Sequence, residues 1–163
     1  WYIRAVAQMG RGTRAVELLE MLSPATRAAT RAAADRYKTE PYVVAADVYG
    51  VPPHAGRGGW SWYTGSAGWM WRVAVESIMG LGMEGGKNLV INPSISREWP
   101  ECRLRYRVPA FKTVYDITIQ NPHGKEHGVT AAEVDGSSCE IRDGKAIVPI
   151  MRDDQEHRVV IKL

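Results

Sequence analysis

The amino-acid sequence predicts an α+β fold in two parts, with helices over residues 1–86 and an antiparallel β-sandwich over residues 87–163. Two observations predict this division. Before Gly86 the apolar residues recur at the three- and four-residue spacing of a helix, and after it they alternate with polar residues. Near the C-terminus, Asp-Gly pairs typical of tight hairpins separate short apolar runs. A chain of 163 residues has room for one ordinary domain or two small ones.

The first helices follow from the apolar spacing and from the residues that interrupt it. The opening residues fit the end of a helix with no N-terminal cap, so we expect the chain to be cut from a longer protein. Gly10 and Gly12 are expected to break that helix, and Thr13 to cap the next one. The apolar stripe of this second helix ends at Ser23-Pro24. The alanine- and arginine-rich segment 26–37 has a weak apolar face, which indicates an exposed helix or a lid.

A long loop and one further helix complete the helical part. Residues 39–65 are rich in proline, glycine and aromatic residues. Loops of this length are uncommon inside compact domains and are usually functional. The following residues have apolar side chains at helical spacing, which predicts a helix that starts near Trp69. Gly80 and Gly82 are expected to stop it.

The second part of the chain has the pattern of short strands. Polar and apolar residues alternate strictly over residues 103–108, and a second alternating run includes Ile117. Asp135-Gly136 and Asp143-Gly144 are hairpin-turn signals, and apolar alternation up to Leu163 predicts a final strand. Short strands joined by tight turns favour an antiparallel sandwich.

The composition limits the classes of function. The net charge is only +3, and the arginines of the first helices are interleaved with acidic residues. This mixture favours a solvated helix surface over a nucleic-acid interface. No apolar run is long enough to cross a bilayer, and the opening residues lack the pattern of a signal peptide. Neither the histidines nor Cys102 and Cys139 have the spacing of metal ligands, so we expect no metal site. The two cysteines lie far apart without a CxxC pattern, which favours a reducing compartment, with a disulfide between them as the alternative.

The segment Thr64-Gly65-Ser66-Ala67-Gly68 carries the strongest indication of chemistry. It lies at the predicted N-terminus of the last helix, where unpaired backbone N–H groups and the helix dipole attract anions such as phosphate. Glycines let a ligand approach the backbone closely. The same residues also suit an ordinary helix cap, in which Thr64 or Ser66 accepts a hydrogen bond and contributes about 1 kcal/mol. The residues alone leave both interpretations open.

Aromatic and charged residues of the preceding loop are candidates for one wall of a sugar-binding cleft. Trp60 and Trp62 have the aromatic faces that stack on sugar rings. Asp47 is a candidate for a contact to the sugar, and Arg57 for a contact to a charged ligand, with a solvated loop arginine as the alternative. His54 has no orienting partner in the pattern and is interpreted as a structural or exposed histidine.

The run EPYVVAADVYGVPPHAGRGGWSWYTGSAGWMWRVAVESIMGLG resembles one known family. It is similar to the last barrel helices of glycoside hydrolase family 94 phosphorylases, and VVAADVY, PPHAGRGGW and WYTGSAGW are most similar to the C-terminal domain of cyclic β-1,2-glucan synthases. The run LVINPSISREWPE resembles the exit from that barrel into the family's C-terminal β-domain. The resemblance implies the last helices of an (α/α)6 barrel over residues 1–86 and a jelly-roll-like β-sandwich over residues 87–163.

The resemblance also implies a reaction and part of a site. The reaction is inverting phosphorolysis, in which an aspartic acid protonates the glycosidic oxygen while inorganic phosphate attacks the anomeric carbon. Thr64 and Gly65 match the Thr-Gly pair that gives phosphate a hydroxyl and a backbone N–H, and Ser66 is their neighbour. The family's general-acid aspartate and its phosphate-binding arginine and histidine have no counterpart here, so the chain alone is expected to be inactive. Ala46 stands where cellobiose phosphorylases have a sugar-binding glutamine, which favours a β-1,2-glucan.

Two hypotheses of different classes follow. The first is the C-terminal part of a phosphorylase that acts on β-1,2-glucan and controls chain length in cyclic glucan synthesis, with a cellobiose- or chitobiose-type phosphorylase as the alternative within the family. The second is a non-catalytic glycan-binding or structural module. The expected partners are a β-glucan oligosaccharide, inorganic phosphate as co-substrate without a cofactor, and the rest of the parent polypeptide.

The resemblance further implies a location. This segment is expected to be a soluble part of a larger membrane protein and to lie on the cytoplasmic face of the inner membrane. An incomplete barrel exposes apolar stripes, so we also expect the chain to self-associate.

Overall fold

Within residues 1–40, 42–61 and 64–163, which the computed structural model describes, five α-helices and a π-helical segment precede nine strands. The helices are α1 Tyr2–Gln8, α2 Gly12–Leu22, α3 Pro24–Arg27, α4 Arg31–Tyr37 and α5 Thr64–Arg72, and the π-helical segment is Val73–Ile78. The chain divides into two compact units. One unit combines Trp1–Val16 with Val75–Leu163, and the other is Glu17–Ala74.

The break between α1 and α2 depends on two close approaches to glycine. Gly10 has a φ of +72°, and a Cβ there would collide with the ring of His127. Gly12 is the first residue of α2, and a Cβ there would collide with the backbone carbonyl of Ile95. The expected cap at Thr13 is wrong because its hydroxyl accepts a hydrogen bond from the backbone N–H of Arg97, at 3.2 Å.

The alanine- and arginine-rich segment forms two short helices, α3 and α4, rather than one exposed helix. The chain turns at residues 28–30, and the Thr30 hydroxyl caps α4 by accepting from Ala33 N–H at 3.2 Å. Arg31 and Asp35 form an exposed ion pair at 3.0 Å along its surface. Tyr37, at the end of α4, is only 3% exposed and anchors this helix in its unit.

The last helix begins at Thr64, five residues before the predicted start near Trp69. It continues into the π-helical segment, and Gly80, with a φ of +75°, follows its end as expected. Gly82 does not stop the helix, since it already lies in the first strand. The predicted domain boundary after residue 86 stays a prediction.

The strands form two sheets. They are β1 Leu81–Glu84, β2 Asn88–Ile91, β3 Glu101–Arg107, β4 Val114–Gln120, β5 Ala131–Val134, β6 Ser137–Ser138, β7 Glu140–Arg142, β8 Lys145–Pro149 and β9 Glu156–Lys162. One sheet has the order β1-β2-β8-β7, and the other β3-β4-β9-β5-β6. Most neighbours are antiparallel, in agreement with the prediction, but β4 and β9 pair in parallel, with Ile117 opposite Val159. The long connection through β5–β8 lets β9 return in the direction of β4.

The predicted strand signals are confirmed. Asp135 and Gly136 link β5 to β6, and Asp143 and Gly144 link β7 to β8, all four with positive φ, as a type I′ hairpin turn requires. The apolar side chains of the alternating strands are fully buried at Leu89, Ile91, Tyr115, Ile117, Ile119, Ala146, Val148, Val159 and Ile161. The α+β class is therefore confirmed, whereas the (α/α)6 barrel stays a prediction.

Candidate functional site

The predicted anion-binding segment forms the first turn of α5. The first N–H groups of an α-helix have no partner inside the helix, so this turn offers donors to a ligand. A Cβ added at Gly65 or at Gly68 would meet no described residue within 4 Å, so the backbone is open at both positions. The side chain of Thr64 lies outside the described residues, as does Trp62.

The hydroxyl of Ser66 has a partner within its own unit. It donates to the backbone carbonyl of Val44 at 3.5 Å, a long hydrogen bond in a half-buried setting. This bond ties the first turn of α5 to the loop that precedes it. Ser66, one of the three predicted phosphate ligands, therefore has a structural contact in place.

Asp47 holds together the two sides of the long loop. Its carboxylate accepts from Trp60 N–H at 3.2 Å, and its backbone carbonyl accepts from Gly59 N–H at 2.9 Å. A Cβ at Gly59 would collide with the Asp47 carboxylate, so a larger residue there would displace this carboxylate. The structure thus brings Asp47 and the backbone of Trp60 together and gives the carboxylate a structural partner, while their place in the wall of a cleft stays a prediction.

Residues 46–49 and 57–60 form a short two-stranded ribbon. Ala46 N–H donates to Trp60 C=O at 2.8 Å, Tyr49 N–H donates to Arg57 C=O at 2.9 Å, and Val48 and Gly58 form an isolated bridge between them. The Trp60 side chain is 60% exposed. The exposed indole has the surface that stacking on a sugar ring needs.

Arg57 lies at the other end of the ribbon, where a cavity of about 240 Å³ opens beside the end of α4. Arg36, Lys38 and His54 also line this cavity. No sequence pattern groups these side chains, because the charge pattern of the first helices favours a solvated surface for their arginines. These side chains come together only in the folded chain, because the ribbon brings residues 54–57 back to α4.

Burial governs the reactivity of the two cysteines. Cys102 and Cys139 are free, and burial, aided by the charge of Glu101, raises the pKa of the Cys102 thiol to about 11. A thiol with so high a pKa is a poor nucleophile at neutral pH. Among the described residues, no three His, Cys, Asp or Glu side chains are arranged to hold a metal ion. None of the helices described has the length and hydropathy of a membrane span.

Family membership follows from a match over the first half of the chain. Residues 1–80 match the family model of the glycosyl hydrolase 94 superfamily, catalytic domain. The chain belongs to the glycosyl hydrolase 94 family. Its helices up to the π-helical segment therefore correspond to part of a catalytic domain, and α5 with its open first turn lies within the matched region.

Individual relatives agree with this assignment. Over 108 residues the chain is 46% identical to "Cyclic beta-(1,2)-glucan synthase NdvB" of Rhizobium meliloti (strain 1021), a match that covers 66% of this chain and 4% of that protein. It is 30% identical over 155 residues to "Solabiose phosphorylase" of Paenibacillus borealis, covering 94% of this chain and 19% of the relative. It is also 30% identical over 146 residues to "N,N'-diacetylchitobiose phosphorylase" of Vibrio furnissii, covering 86% of this chain and 17% of the relative.

The chain thus spans only a small part of these relatives, at most 19% of their length. It is a phosphorylase-like segment related both to a cyclic β-glucan synthase and to disaccharide phosphorylases.

Proposed function

We propose that this chain is the C-terminal part of an inverting glycoside phosphorylase domain that acts on β-1,2-glucan. Family membership and the 46% identity to a cyclic β-1,2-glucan synthase support this choice over a cellobiose- or chitobiose-type enzyme. Ala46, in place of a sugar-binding glutamine, points the same way. Within cyclic glucan synthesis, phosphorolysis at this domain would set the chain length.

The open first turn of α5 is the observation that carries the proposal. Phosphate must be held as a dianion against the anomeric carbon, which requires preorganised donors rather than mobile solvent. Backbone N–H groups at a helix N-terminus meet this need, and the helix dipole adds partial positive charge. In the proposal Thr64 contributes a hydroxyl and Gly65 an N–H, while Ser66 supports the turn through Val44.

The remaining parts of the reaction belong to other segments of the proposed parent protein. An aspartic acid outside this chain would protonate the glycosidic oxygen, and phosphate would attack from the opposite face of the sugar. Trp60, Trp62, Asp47 and Arg57 would form a wall of the sugar cleft. The chain by itself is proposed to be inactive. The parent is proposed to be a membrane protein, with this segment on the cytoplasmic face of the inner membrane.

Thr64→Val in a longer polypeptide that contains this chain tests the proposal. A hydrogen bond to a charged group contributes about 1.5–3 kcal/mol, so we expect KM for phosphate to rise roughly ten- to hundredfold. The KM for a β-1,2-glucooligosaccharide should change much less. The measurement is the release of glucose 1-phosphate from the oligosaccharide at varied phosphate.

Thr26→Val, an equivalent change on the exposed surface of α3, is the matched control and should leave both constants unchanged. Oligosaccharide binding without any phosphate-dependent cleavage in the longer polypeptide would overturn the proposal. That result would support instead a non-catalytic glycan-binding or structural module.

A further inference from the structure

A basic cavity lies at the C-terminal end of α4. It has a volume of about 240 Å³, and its charged lining comes from two segments that are distant in the sequence. Arg36 and Lys38 belong to the end of α4, and His54 and Arg57 to the loop. Cations at a helix C-terminus also complement the helix dipole. That effect accounts for Arg36 and Lys38 but leaves the two loop residues unexplained.

The positive charge of this cavity is only partly offset by its own lining, which holds three cationic side chains and one carboxylate. Its one carboxylate, Asp35, is already paired with Arg31 at 3.0 Å outside the cavity lining. In the described part of the chain, no carboxylate lies within ion-pairing distance of Arg36, Lys38 or Arg57. Three like charges that share so small a space repel one another, and a bound anion removes this repulsion.

The backbone holds both segments in place. Gly58 N–H donates to the carbonyl of the buried Tyr37 at 2.8 Å, which fixes the loop to the end of α4. Arg57 N–H donates to His54 C=O at 3.0 Å, closing the turn that carries both side chains. At Gly56, with a φ of +87°, a Cβ would lie 2.8 Å from Cδ of Arg36, so the stem of this arginine packs on the bare backbone. The backbone segments that carry these cations are therefore fixed before any ligand arrives, while the charged ends of the side chains are exposed.

We propose that this cavity binds a phosphate-type oxyanion, either inorganic phosphate or the phosphoryl group of a sugar phosphate. Guanidinium groups match the oxygens of a phosphate with paired N–H donors, and an ammonium adds a compact charge. The imidazole ring of His54 supplies a further N–H donor. The cavity is smaller than the usual ligand pocket of about 300–1,000 Å³, which suits a small charged group. The site shares no residue with the phosphate position proposed at Thr64 and Gly65.

The test is an NMR titration of the 163-residue chain at constant ionic strength. Inorganic phosphate, glucose 1-phosphate and chloride are added in separate series, and the ring signals of His54 are followed. We expect both phosphates to shift these signals with a saturable curve, and chloride to leave them unchanged. Equal affinities identify the phosphoryl group alone as the ligand, whereas tighter binding of glucose 1-phosphate identifies a sugar phosphate.

Two variants and a matched control separate specific binding from general attraction. Arg57→Gln and Lys38→Asn should each weaken phosphate binding by about tenfold, the usual effect of losing one charged contact. Asparagine is chosen because it tolerates the left-handed backbone of Lys38, with a φ of +53°. Arg107→Gln removes an exposed charge outside the cavity and should change nothing. Unchanged circular dichroism spectra show that the variants remain folded.

The proposal is overturned if phosphate leaves the His54 signals unmoved, or if Arg107→Gln weakens binding as much as Arg57→Gln. The backbone N–H signal of Gly65 reports separately, in the same titration, on the phosphate position of the proposed reaction. Failure of one site is thereby distinguished from failure of the other.

Discussion

His157 is a nearly buried, bridging side chain of β9. Its Nδ1 lies 2.7 Å from Oδ2 of Asp135, and its Nε2 lies 3.1 Å from Oδ1 of Asp153. The imidazole is only 7% exposed and stacks at a tilt on Tyr115, with 5.2 Å between ring centroids. A protonated imidazole donates to both carboxylates, so His157 links the β5–β6 turn to the loop before β9.

The protonation of His157 makes the stability of the fold depend on pH. Burial lowers its pKa, but the hydrogen bonds to Asp135 and Asp153 and their charges outweigh burial and raise the pKa above its ordinary value of 6.5. The stabilisation is therefore fully present below about pH 6.5 and is lost as pH rises through the folded-state pKa. The hydrogen bond from His157 lowers the pKa of Asp135, so the contribution of that carboxylate is lost in acid instead.

Urea unfolding at about pH 5.5 and about pH 8.5 measures this dependence. The native chain should be less stable at the higher pH. His157→Gln removes the titrating group, so it should flatten the dependence and cost about 1–3 kcal/mol at the lower pH, as expected for a buried hydrogen-bonding partner.

His123→Gln is the control, because His123 is exposed. It should keep the full dependence of the native chain. An unchanged pH dependence in His157→Gln would show that other groups control it.

At the scale of elements, the first residue of α2, Gly12, lies against the backbone of Ile95. A Cβ at Gly12 would collide with the carbonyl of Ile95, a fully buried residue whose N–H donates to Glu126 C=O at 2.9 Å. This hydrogen bond restrains the backbone of Ile95 against moving aside. Gly12→Ala should therefore lower the free energy of unfolding by about 1–3 kcal/mol, the usual cost of overpacking.

Gly68→Ala is the matched comparison inside α5. A Cβ there meets no described residue within 4 Å, so the higher helix propensity of alanine should raise stability by up to about 1 kcal/mol. Thermal unfolding of Gly12→Ala and of Gly68→Ala measures the two changes in stability. Equal effects of the two substitutions would contradict the role assigned to the carbonyl of Ile95.

Strands and turns were predictable because their signals are local. The alternation of polar and apolar residues predicts β3 and β4. The hairpin turn at Asp143 and Gly144 requires positive φ, and aspartate and glycine tolerate that backbone conformation. The parallel pairing of β4 with β9 was missed, since sequence alternation is the same for either direction. The local pattern predicts Thr13 as a cap, yet the partner of its hydroxyl, Arg97, is remote in sequence.

The candidate site was predictable only where a motif is contiguous. Thr64 and Gly65 share one helix turn, so the anion hypothesis needed nothing beyond local spacing. The basic cavity joins Arg36 to Arg57 across 20 intervening residues. Their proximity depends on the hydrogen bond between Gly58 and Tyr37, which no sequence pattern specifies.

At the scale of the whole molecule, the helices carry more exposed apolar surface than the sheets. Tyr2 and Met9, in and beside α1, are 64% and 70% exposed, and Trp71 of α5 is 64% exposed. Exposed apolar side chains mark a surface that another protein segment covers where they form a contiguous patch. We therefore expect the isolated chain to self-associate at micromolar concentrations, as sedimentation velocity would measure.

A pair of variants identifies the surface through which the chain self-associates. The double substitution Tyr2→Asn with Met9→Gln removes apolar area from the helical surface and should shift the chain towards monomer. Met83→Gln, which changes a 52% exposed side chain of β1, should leave association unchanged, because this strand lies outside the helices. A monomeric native chain with one sharp thermal transition would contradict this expectation, since it would show that the exposed helices need no further partner to form a cooperative fold.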